Sequence, residues 1–254
     1  MSLGRKGAST GLKRKPAPRF WPIHRKDSTW VVRPASGPHR REDCMPLVVV
    51  LRDRLGVAKT RKEAKFMVSQ GRILVDGKVK KEDDFPIGLA DVLSIPDIDQ
   101  SYRVLPSYKG LILHSIDKEE AKFKLCRIED KKVVDKTHLQ LNLHDGSNIT
   151  LKTAGSEDPQ EDVYETLGTL KLVLPEREIA ESLKMKEKDY AIITGGKNIG
   201  KHGKIVEIET GEGKKRRNAL VTVEDKEGNR FQTVLNFVFA IGETKPLMSL
   251  PEAA

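Results

Sequence analysis

Between Arg52 and Lys81 the chain carries ten Lys/Arg (52, 54, 59, 61, 62, 65, 72, 78, 80 and 81) against three acids, Asp53, Glu63 and Asp76. Cations at that density, placed at helix starts and hairpin edges where backbone N–H groups also favour anions, suit the holding of phosphates. From Glu82 to Asp99 there follow six acids and no base. A solvated surface with no special task would mix the signs, whereas here they are segregated along the chain. Residues 1–42 hold eleven Lys/Arg and two acids, and the remaining 212 residues hold 35 of each sign, so the whole net charge of +9 sits in the first 42 residues. A further group, Lys197, Lys201, His202 and Lys204, alternates with glycines.

The elements that must position these cations can be read from local pattern. Pro46 stands at a first helical position, and Leu47, Val50, Leu51 and Leu55 then recur on one helical face. Gly56 ends that helix. Thr60 followed by Glu63 is a capping box, which opens a second helix with Ala64, Met67 and Val68 inward and Arg61, Lys62 and Lys65 elsewhere. Gly71 stops it. Asp76-Gly77 between β-prone runs predicts a hairpin, and Asp91–Ile95 a third strand.

Residues 1–42 are rich in Gly and Pro and keep no period for long, so they read as an extended basic arm without a core. Both tryptophans, Trp21 and Trp30, lie in it beside Phe20. Aromatics among Arg and Lys can stack on bases or dock on a neighbour, and an arm ordered only on its partner is expected. Residues 106–177 read as a mostly-β domain, with alternating runs at 110–114, 122–128 and 137–144 and a second Asp-Gly hairpin at Asp145-Gly146. The acidic stretch from 157 to 181 should repel RNA and face solvent or a basic protein. Residues 178–246 read as five short strands with Gly-rich turns, a small barrel, followed by a tail at 247–254.

Other chemistries fit less well. Gly195-x-x-x-x-Gly200-Lys201 has P-loop spacing, but His202 stands where the magnesium-binding hydroxyl belongs, and a β-branched strand follows instead of a helix. The six histidines are dispersed; His138 and His144 are roughly 20 Å apart along a strand. Cys44 and Cys126 are the two cysteines and show no paired spacing. No metal site, cofactor, catalytic dyad or small-molecule substrate is therefore expected. No apolar run approaches a membrane span or a signal-peptide core, so an intracellular chain with reduced thiols and no membrane partner is expected.

The strings I-L-V-D-G-K-V (73–79) after the capped basic helix resemble the small RNA-binding fold named after bacterial small-subunit ribosomal protein four. Gly196-x-x-x-Gly200-x-x-Gly203 between two strands resembles the KOW motif, with Lys197, Lys201 and Lys204 projecting from a loop that its glycines allow. In the order arm, helical module, β domain, barrel, the chain resembles the archaeal and eukaryotic small-subunit ribosomal protein of the four-e family. Arg33–His39, Cys44–Leu47, Leu51–Leu55, Ile73–Val79, Glu119–Cys126, Thr194–Gly200 and Lys245–Pro251 carry the resemblance. It implies an α+β multidomain protein with an arm at 1–42, a helical-hairpin plus β RNA-binding module at 43–105, a central β domain at 106–177 and a KOW SH3-like barrel at 178–246. It further implies a non-catalytic constituent of the small ribosomal subunit, cytoplasmic on the ribosome and archaeal in type, whose partners are ribosomal RNA and neighbouring ribosomal proteins.

The residues expected to meet RNA are Arg5, Lys6, Lys13, Arg14, Lys15, Arg19, Trp21, Arg25, Lys26, Trp30, Arg33, His39, Arg40 and Arg41 in the arm. They continue with Arg52, Arg54, Lys59, Arg61, Lys62, Lys65, Arg72 and Lys78 in the module, and Lys197, Lys201, His202 and Lys204 in the glycine loop. An RNA-modifying enzyme or a translation or transcription factor could carry the same modules. About 250 residues leave little room for a catalytic domain, and a transient factor has small use for so basic an arm.

Overall fold

The computed structural model describes residues 11–134, 138–152, 164–209 and 216–251. The chain divides into two compact units: residues up to Ile73 with Val79–Gly88, and Leu74–Lys78 with the residues from Leu89 onward.

In the first unit, Met45–Pro46 pairs antiparallel with Pro86–Ile87, and Leu12–Lys13 with Trp30–Val31. Pro46 is extended, at φ −62° and ψ 142°, and caps the helix that it was expected to begin. One α-helical turn, Leu47–Val49, widens into a π-helical segment, Val50–Arg54, where Leu55 N–H donates to the Val50 carbonyl at 3.0 Å. The expected stripe gives way to a continuous run, Leu47 to Leu51, that is buried all round, while Leu55 is half-buried. A π turn breaks the 3.6-residue repeat, so consecutive apolar side chains replace a periodic face. Arg61–Ser69 is the second helix, and Ala64 and Val68 are its buried residues.

The described part of the arm belongs to this unit. Trp21 is 3% exposed, and its indole N–H donates to the Cys44 carbonyl at 2.8 Å. An arm ordered only on its partner was expected, and within residues 11–42 Trp21 nonetheless packs on this unit. A tryptophan buries enough apolar surface, with its N–H satisfied, to anchor a segment that has no periodicity.

The second unit holds three antiparallel sheets. In the first, Leu74–Val75, Val92–Ile95, Gln100–Ser107 and Gly110–Ile116 lie in that order. The second runs Asn148–Lys152, His138–Leu143, Phe123–Val134, Thr169–Val173, Glu178–Leu183. The third runs Arg230–Val234, Leu220–Glu224, His202–Glu209, Tyr190–Ile193, Val238–Gly242, around buried Ala191, Ile193, Ile205, Val221, Val223 and Val238.

Three expected boundaries move. Residues 105 and 106 lie inside the strand Gln100–Ser107, so the run from Gly110 extends the sheet of Leu74–Val75. Glu178–Leu183 pairs with Thr169–Val173 and is the edge of the central sheet, although 178 was expected to open the barrel. Glu178, Ala180, Glu181 and Ser182 are exposed and only Ile179 and Leu183 are half-buried, so its pattern is faint. Beyond 246, in the expected tail, Leu247 N–H donates to the Ile241 carbonyl and Met248 is buried.

Candidate nucleic-acid interface

The second helix presents its cations because its cap is locally complete. Glu63 N–H donates to the Thr60 hydroxyl at 3.2 Å, and the Glu63 carboxylate accepts from Lys59 N–H at 2.7 Å and Thr60 N–H at 3.2 Å. Those backbone donors, Lys59 first, hold the Glu63 carboxyl below its ordinary value. With Ala64 and Val68 turned inward, Lys59, Arg61, Lys62 and Lys65 are exposed, as is Phe66. Arg61 Nε lies 2.9 Å from Asp83 Oδ2, yet its side chain stays largely exposed. Arg52 is differently placed. Half-buried, it forms a two-bond fork with Asp53 at 2.9 and 2.7 Å, and that bonding raises its pKa. Arg54 is half-buried, whereas Arg72 and Lys78 are exposed.

In the arm, Lys13, Lys15, Arg19, Lys26, Arg40, Arg41 and Trp30 are exposed, while Arg14, Arg33 and His39 are half-buried. Arg5 and Lys6 lie outside the described residues. Two residues expected to meet RNA are engaged within the protein. Trp21 is buried against Cys44 and has no free face for a base. Arg25 uses Nη1 to reach the carbonyls of Arg14, Lys15 and Ala17, and Nη2 to reach that of Pro18, at 2.9–3.0 Å. A guanidinium with its donors on one loop staples that loop and has little left for phosphate. The nearest sequence signal was the local crowding of Pro and aromatic residues around Trp21.

The glycine loop closes on itself. Ile193 N–H donates to the Lys201 carbonyl and Gly200 N–H to the Ile193 carbonyl, each at 2.8 Å. Gly196 and Gly200 have φ of +80° and +85°, as a tight loop requires. Gly203 serves another end: a Cβ there would meet the Glu224 carbonyl oxygen at 2.1 Å, so this glycine permits close strand approach. Lys197, Lys201 and Lys204 are exposed. His202, expected among the RNA contacts, is buried between the Tyr190 hydroxyl at 2.9 Å and the Pro251 carbonyl at 3.3 Å. It begins the strand His202–Glu209, so no helix N-terminus stands here to cradle a nucleotide phosphate.

One charged cluster escaped the sequence reading. The Lys124 ammonium, fully buried, lies 2.6, 2.8 and 3.2 Å from Asp91, Asp76 and Asp145 carboxylate oxygens. Burial alone would lower its pKa, but the carboxylates, Asp91 foremost, carry it well above the ordinary value. Strand alternation puts Lys124 on the face of Cys126 and Ile128, and that was the available signal.

Comparison with known proteins accords with this layout. Residues 6–42 match the RS4NT (NUC023) domain, 45–93 the S4 domain and 98–179 the ribosomal family S4e. Small ribosomal subunit protein eS4 of Staphylothermus marinus is 48% identical over 253 residues, covering 99% of this chain and 100% of that protein. The chain belongs to the S4e family. Its eS4 relative in Desulfurococcus amylolyticus is 47% identical over the same shares of both chains. The crystal structure of the 30S ribosomal protein S4e from Thermoplasma acidophilum is 30% identical and aligns with a TM-score of 0.64, over 80% of this chain and 96% of that one. The S4-domain match, residues 45–93, spans the capped basic helix with its exposed Arg61, Lys62 and Lys65.

Proposed function

We propose that this S4e-family chain, a structural constituent of the small ribosomal subunit and not an enzyme, grips ribosomal RNA phosphates at two places. One is the outward side of the second helix, with Lys59, Arg61, Lys62 and Lys65 and support from Arg72 and Lys78. The other is the glycine loop of a KOW-type barrel formed by the sheet from Tyr190 to Gly242, with Lys197, Lys201 and Lys204. The exposed cations of the arm, Lys13, Lys15, Arg19, Lys26, Arg40 and Arg41 with Trp30, add contacts along the RNA, and neighbouring ribosomal proteins complete the surroundings. The observation that carries the reading is the capped helix. Its Ala64 and Val68 are buried, its N-terminal acid is consumed by the cap, and its cations are left outward in the segment that matches the S4 domain.

The proposed location is the cytoplasmic ribosome; among the described residues no helix is long and apolar enough to cross a membrane. Sedimentation of subunits after a high-salt wash tests the assignment. The chain should remain with the small subunit, whereas release of most of it into the wash would mark a transient factor.

A further inference from the structure

Tyr108 is 83% exposed, the most exposed large hydrophobic side chain among the described residues. It occupies a two-residue turn with Lys109, because Ser107 and Gly110 are the closing pair of the hairpin Gln100–Ser107/Gly110–Ile116. Neither burial nor turn chemistry asks for it there. Two-residue turns favour Asn, Asp and Gly, and a ring in water gains nothing from packing.

The glycine loop lies against this turn. Gly200 sits so close to the hairpin that an added Cβ would be 2.8 Å from Ser107 Cα and 3.0 Å from the Pro106 carbonyl oxygen. The next residue, Lys201, holds its ammonium 3.7 Å from the centre of the Phe231 ring, which fixes the position of that cation. At the other end of the loop, Gly195 lies under the partly exposed ring of Phe237, where a Cβ would come within 2.5 Å. Asn198 ties the loop to the Gln232 carbonyl at 3.3 Å. Loop and hairpin tip are therefore held together by backbone contact.

We infer that the Tyr108 turn and the glycine loop together form a stacking site for an unpaired base of ribosomal RNA, with Lys109, Lys197 and Lys201 neutralising the flanking phosphates. The occupant follows from the chemistry. An exposed aromatic ring next to Lys109, on a turn that the lysine-bearing glycine loop lies against, offers a π-face to a base and cations to its backbone, the combination used for single-stranded nucleic acid. A duplex would meet the cations and leave the ring idle. The inference rests on the rRNA reading of the loop given above and adds to it the ring, the turn and the unpaired state of the nucleotide.

The test uses the full chain and small-subunit rRNA, measuring affinity as a function of salt and chemical probing of the bound RNA. Tyr108→Ala should weaken binding about ten- to a hundredfold, as for one lost stacked base. The salt slope should stay unchanged, and one unpaired nucleotide should lose its protection. Tyr108→Phe should bind as the parent does, and Lys109→Ala should flatten the slope. Parental affinity and protection in Tyr108→Ala would overturn the inference. So would an equal loss in Tyr108→Phe, which would assign the hydroxyl and not the ring. Normal rRNA affinity of Tyr108→Ala with failed subunit incorporation would point to a protein partner and overturn it too. If the parent chain showed no preference for small-subunit rRNA over transfer RNA, the underlying reading would fail first and separately.

Discussion

The Lys124 ammonium lies 2.6 Å from an Asp91 carboxylate oxygen, and both side chains are about 1% exposed. Asp76 and Asp145 approach the same nitrogen, and Arg177 Nη2 stands 3.3 Å from Asp76 and 3.6 Å from Asp145. Lys124 occupies the point on which the three carboxylates converge, with Arg177 beside two of them. Asp76 Oδ1 also accepts from Val92 N–H at 3.0 Å, which ties the Asp76-Gly77 turn to the strand beside it.

Replacing Lys124 should therefore be severe. Lys124→Met removes the ammonium on which three buried acids converge, and breaking a buried ion group of this kind costs about 3–5 kcal/mol. A lower urea midpoint for the second unit and faster hydrogen exchange at Val92 N–H are expected. A midpoint within the error of the parent would show that the cluster contributes no stability.

Acid should weaken the same cluster through Asp145. Burial pushes its carboxyl up, but the Lys124 charge and the Ser147 hydroxyl and N–H outweigh this and hold it far below the ordinary carboxylate range. A depressed folded-state pKa gives stability that is present above the unfolded value, about 4, and is lost as pH falls below it. Asp76 has the opposite sign: burial and the neighbouring Asp91 raise it, so its ionisation weakens the fold as pH rises past about 4. Asp145→Asn should be less stable at pH 7 and lose less on going to pH 2. Urea midpoints across that range decide it, since an acid limb as steep as the parent's would remove Asp145 from the cause.

What the sequence revealed was local. The Thr60–Glu63 cap spans four residues and forms as read. The Asp-Gly turns at 76–77 and 145–146 place Asp76, Gly77 and Gly146 at positive φ, because each turn is decided by its own residues. Lys124 was hidden because its partners stand 21, 33 and 48 residues away, and no local pattern distinguishes a paired buried lysine from a solvated one. The internal partners of His202 and Trp21 were hidden for the same reason. Each is a plausible RNA contact by type, and each is consumed by a distant main-chain or side-chain partner. Lys62 and Lys65 need only a helix and its buried face to be placed, so a short window sufficed.

The two tryptophans should report the folding of the arm in the absence of RNA. Trp21 is buried while Trp30 is 57% exposed. Trp30→Phe, which leaves Trp21 as the reporter, should emit at shorter wavelength and resist a soluble quencher. Trp21→Phe should emit at longer wavelength and be quenched readily. A water-like, freely quenched spectrum from Trp30→Phe would mean that the arm does not pack in solution as described.

The cations of the second helix should separate by how committed each is inside the protein. Lys62 and Lys65 are exposed, and Arg61, though exposed, already lies 2.9 Å from Asp83. A cation that neutralises one phosphate releases about 0.7–0.9 counterion, so its removal lowers the dependence of log affinity on log salt by that amount. Lys62→Ala and Lys65→Ala should each do so, with a uniform loss across RNA sequences, because phosphate contacts carry no base information. Arg61→Ala should lower the slope less, since part of its charge is already opposed by Asp83, and it leaves that acid near the RNA as a repulsive group. Its affinity should therefore fall further than its slope alone implies. Filter binding of the full chain to small-subunit rRNA from about 50 to 200 mM salt measures both quantities. Unchanged slopes in Lys62→Ala and Lys65→Ala would place the RNA on another face of the module.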